Sequence, residues 1–184
     1  MINKLKDNHY IPDIPIYLDS PMAIDASEIM CRYPEWHQMS FDQCMCMFQD
    51  VKMIRDSKRS AINIENKEKK IVIAGSGMIS GGRVLDYLAR YIEDDRTTIL
   101  ITGYQAIGTR GRDILNKVER IKIKGHYYNV KAEVKTLNGL SGHGDQEELI
   151  TWLRAIKNTP KKIFLNHGED KSSAALKEKI EEIF

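Results

Sequence analysis

Short apolar runs separated by polar, glycine-bearing loops set the rhythm of this chain, and the rhythm changes near residue 118. Residues 14–18 (IPIYL), 51–54 (VKMI), 71–74 (IVIA) and 98–101 (TILI) have strand length and strand composition. Between them lie helical stretches. Ser20 stands where a helix N-cap is expected and Pro21 at its first position, with Pro34 stopping the helix at about Tyr33. Residues 35–50 are mixed Met, Cys and Phe and are expected to be helical. Ser57 is the expected cap of a helix entering the lysine-rich stretch 63–70, which reads equally as a solvated loop. After the run at 71–74 come Gly75 to Arg83 and an amphipathic helix with Val84, Leu85, Leu88 and Ile92 on one face. Residues 1–13 are polar and are expected to be a loose lead-in.

Strand–loop–helix–strand units repeated at this spacing predict right-handed crossovers and a mainly parallel sheet. The expected fold class is therefore α/β, three-layered, with helices on both faces of the sheet. Beyond residue 118 the pattern turns to alternation. Residues 118–124 and 127–136 are expected to form an antiparallel ribbon joined near Gly125. A helix to about Lys157, a strand at 163–165 and a last helix over 171–183 complete the chain. The expected divisions are 1–13, 14–125 and 126–184.

Composition bounds the function only loosely. At 184 residues, 42% apolar and 29% charged, the chain suits an ordinary globular protein, and a net charge of +2 argues neither for nor against nucleic acid. No apolar run is long enough to suggest a membrane span, and three cysteines without framework spacing point to the cytoplasm. Cys44 and Cys46 form a C-x-C pair with only His37 close by; helical packing is a better account of them than a metal site.

Candidate chemistry sits in the loops, because backbone N–H groups at the carboxyl ends of parallel strands can approach an anion. In the first loop Ser76 and Gly77 could cradle a phosphate and Arg83 could add a forked contact; the plain alternative is a tight strand-to-helix turn. The loop lacks the third glycine of a dinucleotide fingerprint and the Lys-Ser/Thr of a P-loop. The second loop holds Tyr104, Gln105, Thr109, Arg110 and Arg112, a mixture suited to nucleic acid, or else a capped helix start with solvated arginines. His143 and His167 stand between small or polar residues, each with an acid two positions on, Asp145 and Glu169. Those acids also suit helix capping, and for Asp145 the cap is preferred.

Five segments in order, residues 14–26 (IPIYLDSPMAIDA), 75–85 (GSGMISGGRVL), 103–112 (GYQAIGTRGR), 140–145 (LSGHGD) and 164–169 (FLNHGE), resemble the β-CASP family of metallo-β-lactamase-fold nucleases. The resemblance covers nearly all of the chain after residue 12 and resembles the C-terminal part of a bacterial RNA-processing enzyme, an exonuclease among the possibilities. It implies a β-CASP portion followed by a terminal strand and helix segment of the metallo-β-lactamase domain. It implies that His143 serves as general acid or charge stabiliser near the scissile phosphate, alongside Ser141 and Gly142. It also implies that His167 ligates one of two zinc ions, and a histidine in that last motif goes with RNA as substrate.

The family's H-x-H-x-D-H motif is absent here, as is an acid before a Ser-Thr-Tyr-Gly run. The chain is therefore expected to start partway through the β-CASP portion and, alone, to bind no zinc pair and cleave no RNA. Its expected partners are RNA, the missing N-terminal metallo-β-lactamase portion and, through exposed apolar surface, a second copy. Two other readings compete: a noncatalytic RNA-binding or scaffold module, and a Rossmann-like nucleotide or sugar-phosphate enzyme.

Overall fold

Ile16–Asp19 (β1) is the middle strand of a three-stranded parallel sheet, with Val51–Met53 (β2) on one side and Ile71–Ala74 (β3) on the other. Its in-pointing residues are almost fully buried, Ile16 at 1% and Leu18 at 5%, as expected for a strand covered on both faces. The computed structural model describes residues 2–183. Helix α1 spans Ile2–Asp7 and α2 Pro21–Arg32, followed by a 3₁₀ turn at Pro34–Trp36. Helix α3 spans Phe41–Phe48 and α4 Ser57–Glu65.

The expected start of α2 is found: the Ser20 hydroxyl accepts the Ala23 N–H and Pro21 occupies the first turn. Two expectations change. Residues 1–13 are not a loose lead-in, since α1 forms and Asn3 Nδ2 donates to the Met47 carbonyl at 2.8 Å. It ends with His9 at φ 57°, the His9 N–H reaching the Lys6 carbonyl and the Tyr10 N–H the Leu5 carbonyl. That is a Schellman stop made by a histidine where a glycine would usually announce it. Helix α4 is capped by Asp56 rather than Ser57 and ends at Glu65; Lys70 reaches back to the carbonyls of Asn63 and Asn66 at its C-terminal end.

Helix α5 spans Val84–Tyr91, β4 Thr98–Ile101 and α6 Arg110–Leu115. Strands β5 (Arg120–Ile123) and β6 (His126–Asn129) form the expected antiparallel ribbon, turning at Lys124 and Gly125, both with positive φ. The second arm is shorter than expected. It breaks after Asn129, where the Lys131 and Ala132 N–H groups both donate to the Ile92 carbonyl at 2.9 Å. The chain then continues as β7 (Glu133–Thr136), parallel to β4. Among the described residues the strands thus fall into three hydrogen-bonded sheets, β2-β1-β3, β4-β7 and β5-β6, predominantly parallel. Leu85, Leu88 and Ile92 pack with Ile101, Ile114, Ile121 and Ile123 in one core. The fold is α/β, parallel sheet with helices.

The chain divides into two compact units after Gly139, so that β6 and β7 belong to the first. The second unit contains α7 (Gln146–Arg154) and α8 (Asp170–Glu181), joined by a small core of Ile150, Leu153 and Ile180 with Ile163 and Leu176 against it. The strand expected at 163–165 does not form. Ile163 joins the helical core, whereas Phe164 is 85% exposed and, among the described residues, no strand pairs with the segment.

Candidate functional site

In the first unit the expected phosphate loops are closely built. Ser76, at φ 101°, turns its hydroxyl onto the N–H groups of Ser80 (3.1 Å) and Gly81 (3.3 Å), so the side chain satisfies the amides that an anion would otherwise meet. Gly75 lies against Ser20, where an added Cβ would come within 2.6 Å of its hydroxyl. Arg83 turns inward: it donates to Asp19 Oδ1 at 2.6 Å and to the carbonyls of Ile54 at 2.8 Å and Arg55 at 2.6 Å. Asp19 is fully buried and also accepts the hydroxyls of Ser60 and Tyr87, each at 2.7 Å, while Asn63 donates to Tyr87 at 2.7 Å. Burial first, then Asp19, pushes the Tyr87 phenol well above its usual range. Sequence reasoning missed this network; its one local signal was an aspartate at the carboxyl end of a buried strand.

The second loop is tied to the first. Gln105, 3% exposed, donates to the carbonyls of Gly77 (2.7 Å), Gly103 and Tyr104, and an added Cβ at Gly111 would fall on its Oε1. Thr109 caps α6, accepting the Arg112 N–H and donating to Ala106. Arg110 donates to the carbonyls of Lys122 (2.8 Å) and Ser80 (3.3 Å). Arg112 stacks over the exposed Tyr104 ring at 5.7 Å. The structure thus brings Gly77, Gln105 and Gly111 together. Gln105 acts as a brace between loops, a role its buried amide could not advertise in sequence.

In the second unit, Ser141 Oγ accepts the His143 N–H at 3.1 Å, leaving the imidazole exposed just before α7. Asp145 caps that helix in a reciprocal box with Glu148, as preferred for it. Ser141, Gly142, His143 and Gly144 line an open depression with Glu148, Leu149 and Trp152. Gly142 leaves the floor open, whereas the start of α7 is already met by the carboxylates of Asp145, Glu147 and Glu148. An exposed imidazole beside such a floor can hold an anion or pass a proton to it.

His167 is exposed and sits at φ 67°, its N–H donating to Asn166 Oδ1 at 2.9 Å, one residue before the close approach of Gly168 to Ser173. Histidine tolerates the left-handed region better than most residues. His167 does not line the His143 depression. Among the described residues no group of three or more His, Cys, Asp or Glu side chains could hold a metal ion, so the residues present do not by themselves fit zinc. The cysteine cluster gives none either: the Met39 N–H donates to His37 Nδ1, so Nε2 carries the proton and donates to Met30 O at 2.8 Å. Cys31 and Cys44 are buried, as packing requires, whereas Cys46 is exposed, so packing accounts for only one member of the C-x-C pair.

Residues 1–114 match the family model described as "Beta-Casp domain", and residues 127–184 the one described as "Zn-dependent metallo-hydrolase RNA specificity domain". Over 177 residues the chain is 32% identical to "Ribonuclease TTHA0252" of Thermus thermophilus, covering 91% of this chain and 39% of that protein. It is 30% identical over 180 residues to "Transcription termination factor FttA" of Methanosarcina mazei, covering 90% and 28%. The protein of the same name from Methanococcus maripaludis is 33% identical over 177 residues, covering 88% and 27%. The chain spans well under half the length of these relatives. They are largely archaeal, so the bacterial origin suggested by the motifs has no support over an archaeal one.

Proposed function

Because the chain belongs to the β-CASP family of RNA-processing metallo-hydrolases, we propose that it is the RNA-holding portion, and part of the active site, of a zinc-dependent ribonuclease. The observation that carries this is the turn from Ser141 to Asp145. It presents an exposed imidazole on an uncrowded floor at a capped helix start, in the segment matched to an RNA specificity domain. There His143 would give a proton to the leaving oxygen or balance charge on the phosphate. Ser141 and Gly142 would help hold the phosphate group in place. His167 would offer one imidazole to zinc, which, when bound, polarises a phosphodiester. Further ligands must come from outside the described residues, so the chain alone is expected to hold no zinc pair and to cut no RNA.

In this proposal Tyr104, Arg110 and Arg112 line the RNA path, while Ser76, Gly77, Arg83, Gln105 and Thr109 shape the loops that carry it. The longer protein's metal-binding portion would be the chain's partner. Exposed Trp152 and Phe164 in the second unit suit burial against that portion or, failing it, against a second copy. A cytoplasmic setting goes with the same proposal; no described helix is long and apolar enough to cross a membrane. A role in transcription termination is a second setting, prompted by the names of several relatives.

The test is a pair of variants in a family-length protein containing this chain. His167→Ala should lower bound zinc, counted by plasma mass spectrometry, and abolish cleavage. His143→Ala should keep its zinc and lose cleavage by about a hundredfold or more. Undiminished cleavage by His143→Ala would remove it from the chemistry.

A further inference from the structure

Strand β5 alternates cation and isoleucine. Ile121 and Ile123 are 3% and 0% exposed, whereas Arg120 and Lys122 point to solvent. In the antiparallel register Lys122 stands directly opposite Tyr127 of β6, and Arg120 opposite Asn129, so all four share the outer face of the ribbon. Tyr127 is 62% exposed. The Arg120 guanidinium lies 5.4 Å and the Lys122 ammonium 5.8 Å from its ring centroid. Two cations hold one exposed aromatic ring in place. Core packing asks for neither the ring nor the charges, since the hydrophobic contacts of the ribbon run through the other face, with Tyr128.

The surroundings agree. Arg110, whose guanidinium donates to the Lys122 carbonyl and to the Ser80 carbonyl, ties this ribbon directly to the first glycine loop. Two acids stand nearby: Glu93 accepts the backbone and side-chain N–H groups of Asn129, both at 2.8 Å, and keeps its charge within electrostatic reach of Arg120, while Asp86 pairs with Lys124. The outer face thus gathers two cations and one exposed aromatic ring on the solvent side of the ribbon.

We propose that Arg120, Lys122 and Tyr127 form a binding platform for single-stranded RNA, with a base stacked on Tyr127 and phosphates against the two cations. Such a platform needs no particular sequence, because every base has a stacking face. It would give the RNA a second hold, outside the loops of the active site. This rests on the reading of the protein as an RNA enzyme. An acidic peptide would satisfy the cations but would make no use of the ring, which is what separates the two partners.

The experiment uses the whole chain and a fluorescent oligouridylate of about 12 nucleotides, the scale of one such platform, in anisotropy titrations across salt. Tyr127→Ala should weaken binding roughly tenfold and Tyr127→Phe should leave it nearly unchanged, because stacking survives loss of the hydroxyl. Arg120→Ala and Lys122→Ala should each lower the salt slope by about one. Tyr127 and both cations are solvent-facing, and matched circular dichroism spectra confirm folding. Wild-type affinity in Tyr127→Ala, or loss of an acidic peptide in parallel with RNA, would overturn the platform, as would failure of the chain to bind the oligonucleotide. The zinc and cleavage test on the family-length protein is independent of all three outcomes, so the platform can fail while the enzyme reading stands.

Discussion

Arg83 reaches across 64 positions of sequence to place a guanidinium N–H 2.6 Å from Asp19 Oδ1, and that carboxylate is fully buried. The pair joins the loop after β3 to the end of β1, next to the Ser20 cap. A buried carboxylate deprived of its cation is costly even with two hydroxyl donors left. Arg83→Ala should therefore lower the unfolding free energy by about 3–5 kcal/mol. Urea unfolding of the chain measures it, and a midpoint equal to wild type would show that the pair carries no structural load.

Gly111 is held to a hydrogen atom by Gln105. A methyl group there would fall on Gln105 Oε1 and push the amide from the carbonyls of Gly77, Gly103 and Tyr104. Gly111→Ala should destabilise the chain by about 1–3 kcal/mol, the cost of leaving buried polar groups unsatisfied. Adding Gln105→Ala should return part of the loss by making room. Thermal unfolding of the single and double variants reads the coupling, and simple additivity would contradict the brace.

The turn that presents His143 is expected to separate stability from function. Asp145→Ala removes the box with Glu148 and should cost about 1 kcal/mol of helix stability. His143→Ala, altering an exposed side chain, should leave the melting temperature unchanged. A melting temperature lowered equally by both would make His143 a structural residue.

Burial, with help from neighbouring Cys44, pushes the Cys31 thiol up to about 11. At pH 8 it therefore stays protonated, and its thiolate fraction rises only as the pH nears that value. Cys44 is buried and Cys46 exposed. Ellman's reagent should modify one thiol rapidly in the native chain and three in denaturant. Rapid loss of all three in the native state would contradict this packing.

Much of the frame was legible because its causes are local. The run at 71–74 is strand because its residues are contiguous and apolar and the first three are β-branched, and Ser20 caps because a hydroxyl precedes a proline. What was not legible depends on distant partners. The break after Asn129 is set by the Ile92 carbonyl, a position no period reveals. The run at 163–165 has a strand's composition, yet without a pairing strand Ile163 serves a helical core. Arg83 has a phosphate-contacting residue's setting in sequence, and only the fold shows that Asp19 claims it. The turns at His143 and His167 were readable locally, since a glycine follows each histidine in sequence.

The most direct test of the proposed split active site is cleavage of a labelled single-stranded RNA with added Zn²⁺, by this chain alone and by the chain joined to the metal-binding portion proposed for it. The chain alone is expected to cleave nothing, and the joined protein to cleave with added metal and to lose that cleavage on His143→Ala. Metal-dependent cleavage by the chain alone would contradict the split site and place a complete catalytic centre within these 184 residues.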